Sequence, residues 1–258
     1  MPLKNIYLLP HGDEILDRPG TGSERMNETI GKVTGNDGSD VLVIASPHGV
    51  RLSNSIPVVN TERFEGWFGL KTKNLHRALP NERPLTELII ENSRGDCEEV
   101  GYVTVQGDKS VFPLDFGTLI PLEFFRDRPI VYIGQSRISD RKKLRRFGRK
   151  LFDSIDQYEK SVSLIISADQ SHTHSPNGPY GYSEESSTYE DIVKEAIVSN
   201  DFTPLVEMDD KLISNAKPDS YWNLLVLTSF LEKSERRLEL DYSYIEEYFG
   251  MLCAHSYR

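Results

Sequence analysis

The chain has 258 residues, 38% of them hydrophobic, and a formal net charge of -10. That is enough apolar material for a sizeable core, and the wrong sign of charge for duplex nucleic acid as the main partner, because phosphate binding needs clustered Lys and Arg. The two cysteines, Cys97 and Cys253, form no CxxC or zinc-knuckle spacing, so neither a disulfide framework nor a structural zinc is indicated. No apolar run approaches the ~20 residues of a membrane span, and the opening Met-Pro-Leu-Lys-Asn leads into a strand rather than a signal peptide. The expectation is a cytoplasmic protein in a reducing compartment, with no membrane and no nucleic acid partner.

In chain order, the apolar runs Ile6 to Leu9, Val41 to Ala45, Ile130 to Ile133 and Val162 to Ile166 read as strands covered on both faces. Helices are expected over Ser139 to Tyr158, Glu184 to Ser199 and Ser220 to Leu231. The alternation predicts a single α/β domain over residues 1–258, with a largely parallel or mixed central sheet flanked by helices. Between Ile56 and Asp115 the texture changes to short runs at Val58-Val59, Leu88 to Ile90, Val100 to Val105 and Val111 to Leu114, which suits a meander or an inserted subregion. The basic stretch Arg137 to Arg149 reads as a solvated helix face; the sharper alternative is a contact for an anionic ligand or an acidic partner subunit.

The chemistry collects at strand ends. Pro10-His11-Gly12 ends the first strand and Pro47-His48-Gly49 the second, while Asp169-Gln170-Ser171-His172-Thr173-His174 follows the run ending at Ile166. A repeated Pro-His-Gly is hard to explain by packing: proline stiffens the approach and glycine lets the backbone turn away beside the imidazole. Two such loops on neighbouring parallel strands would bring both rings to one rim of the sheet. That makes a shared metal or catalytic site the better reading. Histidine count alone does not choose the metal, since neutral imidazole suits both zinc and ferrous iron. Tyr180 and Tyr182, in the Pro/Gly loop after His174, are candidates to close over a substrate, although tyrosines in such a loop more often simply pin it, and Trp67 and Phe68 are a second candidate wall, although core packing is the commoner use of such aromatics. Asp13 or Glu14 is a candidate for orienting an imidazole. His76 and His255 read as bland, and Cys253 as a buried strand thiol.

Pro10-His11-Gly12, Ser46-Pro47-His48-Gly49, Asp115-Phe116-Gly117-Thr118 and Ala168-Asp169-Gln170-Ser171-His172 together resemble the class III extradiol ring-cleavage dioxygenases, the LigB-like superfamily that also contains the Memo-like proteins. The resemblance implies the LigB-like fold and a non-haem Fe(II) enzyme, with Zn(II) as the alternative ion, acting on a catechol-like or aminophenol-like small aromatic with dioxygen. It also implies a homo-oligomer or a partner subunit. On this resemblance His11 and His48 fall on metal ligands and His172 on the acid/base residue, with Asp169 lining the same pocket. His174 backs up His172 or binds an acidic group of the substrate; a solvent-facing loop residue is its bland alternative. The third ligand departs from the pattern. A gapless reading puts it on Ser220, a poor iron ligand, so the carboxylate of Asp219 is the choice, with Glu246 and Glu247 in reserve. Phe116 stands where many relatives have histidine. The missing ligand at Ser220 keeps open a Memo-like binding or regulatory protein, and a metal-dependent hydrolase would use the same histidines.

Overall fold

Each expected strand forms where its apolar run stands. The computed structural model describes residues 2–101 and 110–257. Its elements are β1 (Leu3–Leu9), α1 (Glu14–Asp17), α2 (Thr21–Thr34), β2 (Val41–Ala45), β3 (Ile56–Val59), β4 (Arg63–Gly69), β5 (Asn74–Pro80), α3 (Arg83–Asn92), β6 (Cys97–Val100), β7 (Val111–Pro113), α4 (Phe116–Leu122), β8 (Ile130–Ile133), α5 (Arg141–Asp156), β9 (Val162–Ser167), α6 (Glu185–Ser199), α7 (Thr203–Val206), α8 (Asp210–Ala216), α9 (Tyr221–Ser234), β10 (Arg237–Glu246) and β11 (Phe249–Tyr257).

The described residues form an eight-stranded sheet in the order β10-β11-β1-β9-β2-β8-β3-β6 and a three-stranded sheet in the order β5-β4-β7. In the large sheet β1, β9, β2 and β8 run parallel, while β11 lies antiparallel to β1 and β3 antiparallel to β8. The sheet is therefore mixed. Its parallel centre is apolar at successive positions because both faces are covered. Ile6, Val41, Val43, Val131 and Leu164 point into one core, packed under α3, α5, α6 and α9. Tyr7, Leu42, Ile44, Tyr132 and Ile165 point into the other, under α2, α4 and the small sheet. Full burial of each such aliphatic side chain contributes roughly 1.5–3 kcal/mol.

Three expectations need correction. The strands carrying His11 and His48 are not adjacent: β9, which leads to His172, lies between β1 and β2. Leu88 to Ile90 is not part of a meander but lies in α3, where Pro84 sits in the first turn and Leu85 and Ile89, four apart, are buried. Val58-Val59 joins the large sheet as β3 rather than a separate subregion, which β4, β5 and β7 alone make up. The expected run Val100 to Val105 begins at the end of β6 and otherwise lies outside the described residues.

Helix α5 starts where its cap allows, Asp140 accepting the Lys143 N–H. Most of its basic face is engaged within the chain. Arg145 and Arg149 pair with Glu232, Arg146 and Lys150 with Asp96, and Arg141 with Asp210. Among the described residues no helix is long and apolar enough to cross a membrane.

Candidate metal centre

The C-terminal ends of β1, β2 and β9 lie at one rim of the sheet, and the loops they feed carry His11, His48 and His172. The backbone of His48 is held from several sides. Its N–H donates to Ser46 Oγ, and its carbonyl accepts from the Tyr132 hydroxyl at 2.9 Å. Ser46 donates in turn to Asp115 Oδ1 at 2.7 Å, and Asp115 caps α4 by accepting from the Thr118 N–H. Gly49 has a left-handed φ of 69°, and a Cβ there would stand 2.5 Å from the Tyr132 hydroxyl. Only glycine suits that turn.

His11 is buried, and its surroundings fix its tautomer. Ser167 Oγ donates its single proton to the Gly117 carbonyl and lies 2.9 Å from His11 Nδ1. The serine must therefore accept from Nδ1–H, so that the neutral ring carries its lone pair on Nε2. The His11 backbone N–H donates to Asp169 Oδ1 at 2.9 Å.

Nε2 of His11 lies 3.0 Å from Nε2 of His48 and 3.1 Å from Asp219 Oδ2, and that oxygen is 3.5 Å from His48 Nε2. Three donor atoms thus face one another, and bonds near 2.1 Å to a single ion would set neighbouring ligands about 3.0 Å apart. Asp219 Oδ1 is buried and has no hydrogen-bond partner among the described residues, which is the condition of a carboxylate with a second partner to accept. Asp169 Oδ2 is 3.5 Å from His11 Nε2, so two carboxylates flank the imidazoles.

The electrostatics favour a cation at this point. Burial would lower the His11 pKa, but the charges of Asp169 and Asp219 outweigh it and raise it to about 9. Burial, with the nearby Asp219 charge, pushes Asp169 up, whereas His11 and His48 overcome burial at Asp219 and hold it far below the ordinary carboxylate range. The donor set of two imidazoles and one carboxylate suits iron or another divalent metal.

Other predicted residues divide clearly. His172 lies beside the triad, its ring stacked on Phe249 at 5.7 Å and edge-on to Tyr180, with Nδ1 buried and unpartnered among the described residues. His174 is not brought to the site: its Nε2 lies 2.7 Å from Ser171 Oγ and 3.4 Å from the buried Glu190 carboxylate. Tyr180 lines the cavities at the rim, whereas Tyr182 is exposed and lines neither. Ser220 faces away, donating to Gln170 Oε1 and meeting the Tyr189 hydroxyl. Glu246 bonds the Tyr244 hydroxyl, and Glu247 occupies the β10–β11 turn with φ 47°. Phe68 stacks on Phe116 at 5.6 Å and reaches the cavity, but Trp67 lies exposed against His76, in neither core nor cavity. No bond joins Asp13 or Glu14 to an imidazole among the described residues. Ser167 bonds the His11 ring and Asp169 its backbone N–H, and burial instead raises Glu14 to about 7.

Two cavities meet at the triad, one of about 270 Å³ walled by Phe68, Phe116 and Phe249, the other of about 770 Å³ and rich in cations. His48, His172, Tyr180 and Asp219 line both.

A mixed sheet with two histidines and a carboxylate converging at its carboxyl rim defines an α/β protein with a site that could hold a metal ion. Residues 5–252 match the family described as the catalytic LigB subunit of aromatic ring-opening dioxygenase, and the chain belongs to that family. It is 26% identical to the Clostridium acetobutylicum protein CA_C1420 over an alignment covering 93% of this chain and 54% of that protein. The chain thus spans about half the length of the curated relative it matches. The crystal structure of the uncharacterized protein JW3007 from Escherichia coli K12 superposes with a TM-score of 0.67 at 16% identity, covering 97% of this chain and 98% of that one, a likeness of fold.

Proposed function

We propose that this chain is a non-haem Fe(II)-dependent extradiol dioxygenase that opens the ring of a catechol-like or aminophenol-like small aromatic with dioxygen. The observation that carries the reading is the convergence of His11 Nε2, His48 Nε2 and Asp219 Oδ2, all within 4.8 Å of one another, beside an aromatic-walled cavity. Ferrous iron held by these three would supply open adjacent positions and a redox step, which zinc, the alternative ion, lacks.

The protein's own groups do the rest. Phe68, Phe116 and Phe249 present flat apolar surfaces that orient a planar ring and exclude water. His172, with its free Nδ1, takes the proton that a substrate hydroxyl gives up and later returns one to the opened product. Ser167 and Asp169 hold His11 in the ligating orientation, and Tyr180 closes the rim. His174 and Tyr182 have no part in this reading. The reason to prefer a Memo-like binding role was a non-ligating serine at position 220; with the neighbouring carboxylate of Asp219 facing both imidazoles, that reason weakens.

Anaerobic loading with Fe(II), followed by oxygen and a panel of catechols and aminophenols, should yield a yellow ring-cleavage product from at least one of them. His48→Ala should lose iron, while His172→Ala should keep iron but turn over ~100- to 10,000-fold more slowly. Tight iron binding without product from any of the panel sinks the enzyme reading in favour of the binding role. Loss of iron in His172→Ala would overturn the proton-transfer role.

A further inference from the structure

Arg137 stands apart from the paired cations of α5. Its guanidinium lies over the Trp222 ring, 4.6 Å from the centroid, and its Nε donates to Gln135 Oε1 at 2.9 Å. No carboxylate among the described residues pairs with it. Arg51 faces the same cavity, its backbone bridged to Gln135 in a parallel step. That proximity is built in: a Cβ at Gly134 would stand 2.3 Å from the Val50 carbonyl, so the loops after β2 and β8 run in close contact. Burial and the Arg51 charge both lower the Arg137 pKa, so the two like charges act on each other. Lys217, at the left-handed end of α8, is a third cation on this wall, 5.5 Å from the Tyr180 ring centre. The cavity's carboxylates offset them only in part: Asp210 is taken by Arg141, and Asp219, whose charge acts against the lowering at Arg137, belongs to the triad.

We propose that this cavity of about 770 Å³ is a subsite for a phosphate-type dianion, so that the aromatic substrate carries a phosphate ester beyond its ring. A carboxylate brings one negative charge. A phosphate monoester brings roughly 1.5–2 at pH 7, with three acceptor oxygens, nearer to what three cations without a carboxylate partner among the described residues can hold. With Nε committed to Gln135, Arg137 keeps its two terminal NH₂ groups for phosphate oxygens. Gln135 also donates through Nε2 to the Asp219 carbonyl, so one buried amide positions both the anion reader and a member of the triad. The ring part of this substrate rests on the proposed dioxygenase activity; the anion subsite does not.

The test is calorimetric titration of the full chain, free of metal and at low salt, with inorganic phosphate and separately with acetate. Phosphate should bind, Arg137→Gln and Arg51→Gln should each weaken it tenfold or more, and Lys142→Ala, on the exposed face of α5, should leave it unchanged. Circular dichroism of each variant checks its fold. Acetate binding as tightly as phosphate overturns the dianion in favour of a carboxylate, and absent phosphate binding, or phosphate binding undiminished in both arginine variants, overturns the subsite. Because no metal is needed, ring cleavage without phosphate binding defeats the subsite alone. Phosphate binding without ring cleavage defeats only the dioxygenase reading.

Discussion

At the scale of single residues, Ser167 matters out of proportion to its size. It ends β9, where the apolar strand meets the rim, and its hydroxyl leaves no choice of tautomer for His11. Ser167→Ala should leave a buried N–H unsatisfied, at a cost of roughly 1–3 kcal/mol, and weaken metal binding by about 10- to 100-fold. Chelator competition would measure this, and unchanged affinity would remove Ser167 from the support of the site. The histidines were legible because their Pro-His-Gly settings repeat. Ser167 and Asp115 were not read as site residues, because each acts through a partner far along the chain, Ser167 through His11 and Asp115 through Ser46; Arg137 was read only as one end of a basic stretch, with an anionic ligand as the alternative to a solvated helix face. The one available signal for Ser167 was a hydroxyl closing an otherwise buried strand.

At the scale of elements, the end of the sheet opposite the metal site is tied by a buried carboxylate. Asp37, in the α2–β2 loop, accepts from Asn5 and Tyr7 of β1, Ser163 of β9 and Ser39, and pairs with Arg128 at 2.9 Å ahead of β8. Burial pushes its pKa up, but the hydrogen bonds from Ser163, Ser39 and Asn5 outweigh this and hold it below the ordinary value. A depressed folded pKa contributes stability above the unfolded value near ~4, and that stability is lost as pH falls through the lower folded value. Asp37→Asn should therefore flatten the acid limb of a stability–pH curve and cost roughly 3–5 kcal/mol at neutral pH, since it leaves Arg128 without its partner. An unaltered acid limb in urea titrations would refute this. Strands with continuous apolar runs were readable, whereas α2 was not. Only Ser23, Met26, Ile30 and Thr34 of its fourteen residues are buried, and Gly22 and Gly31 interrupt it.

At the scale of the whole molecule, the proposed metal binding would be linked to folding, because the three donors come from the loop after β1, the loop after β2 and the residues just before α9. A divalent ion that binds only this arrangement stabilises it, by about 2.7 kcal/mol at one hundred times Kd, which for a chain of this size raises Tm by about 5–10 °C. Anaerobic scans with and without Fe(II) should show the rise, and His48→Ala should abolish it. By itself the sequence determined the α/β class, the four central strands and the histidines at their ends, since apolar period and turn chemistry are local properties of a chain. Tertiary structure alone decided that β9 separates the two histidine strands, that Asp219 and not Ser220 faces the imidazoles, and that Arg137 stands beside Arg51 with no carboxylate partner among the described residues while most of the cations of α5 are paired. Strand order, side-chain direction at a helix start and the pairing of charges depend on residues distant in the chain, which only the packed sheet brings together.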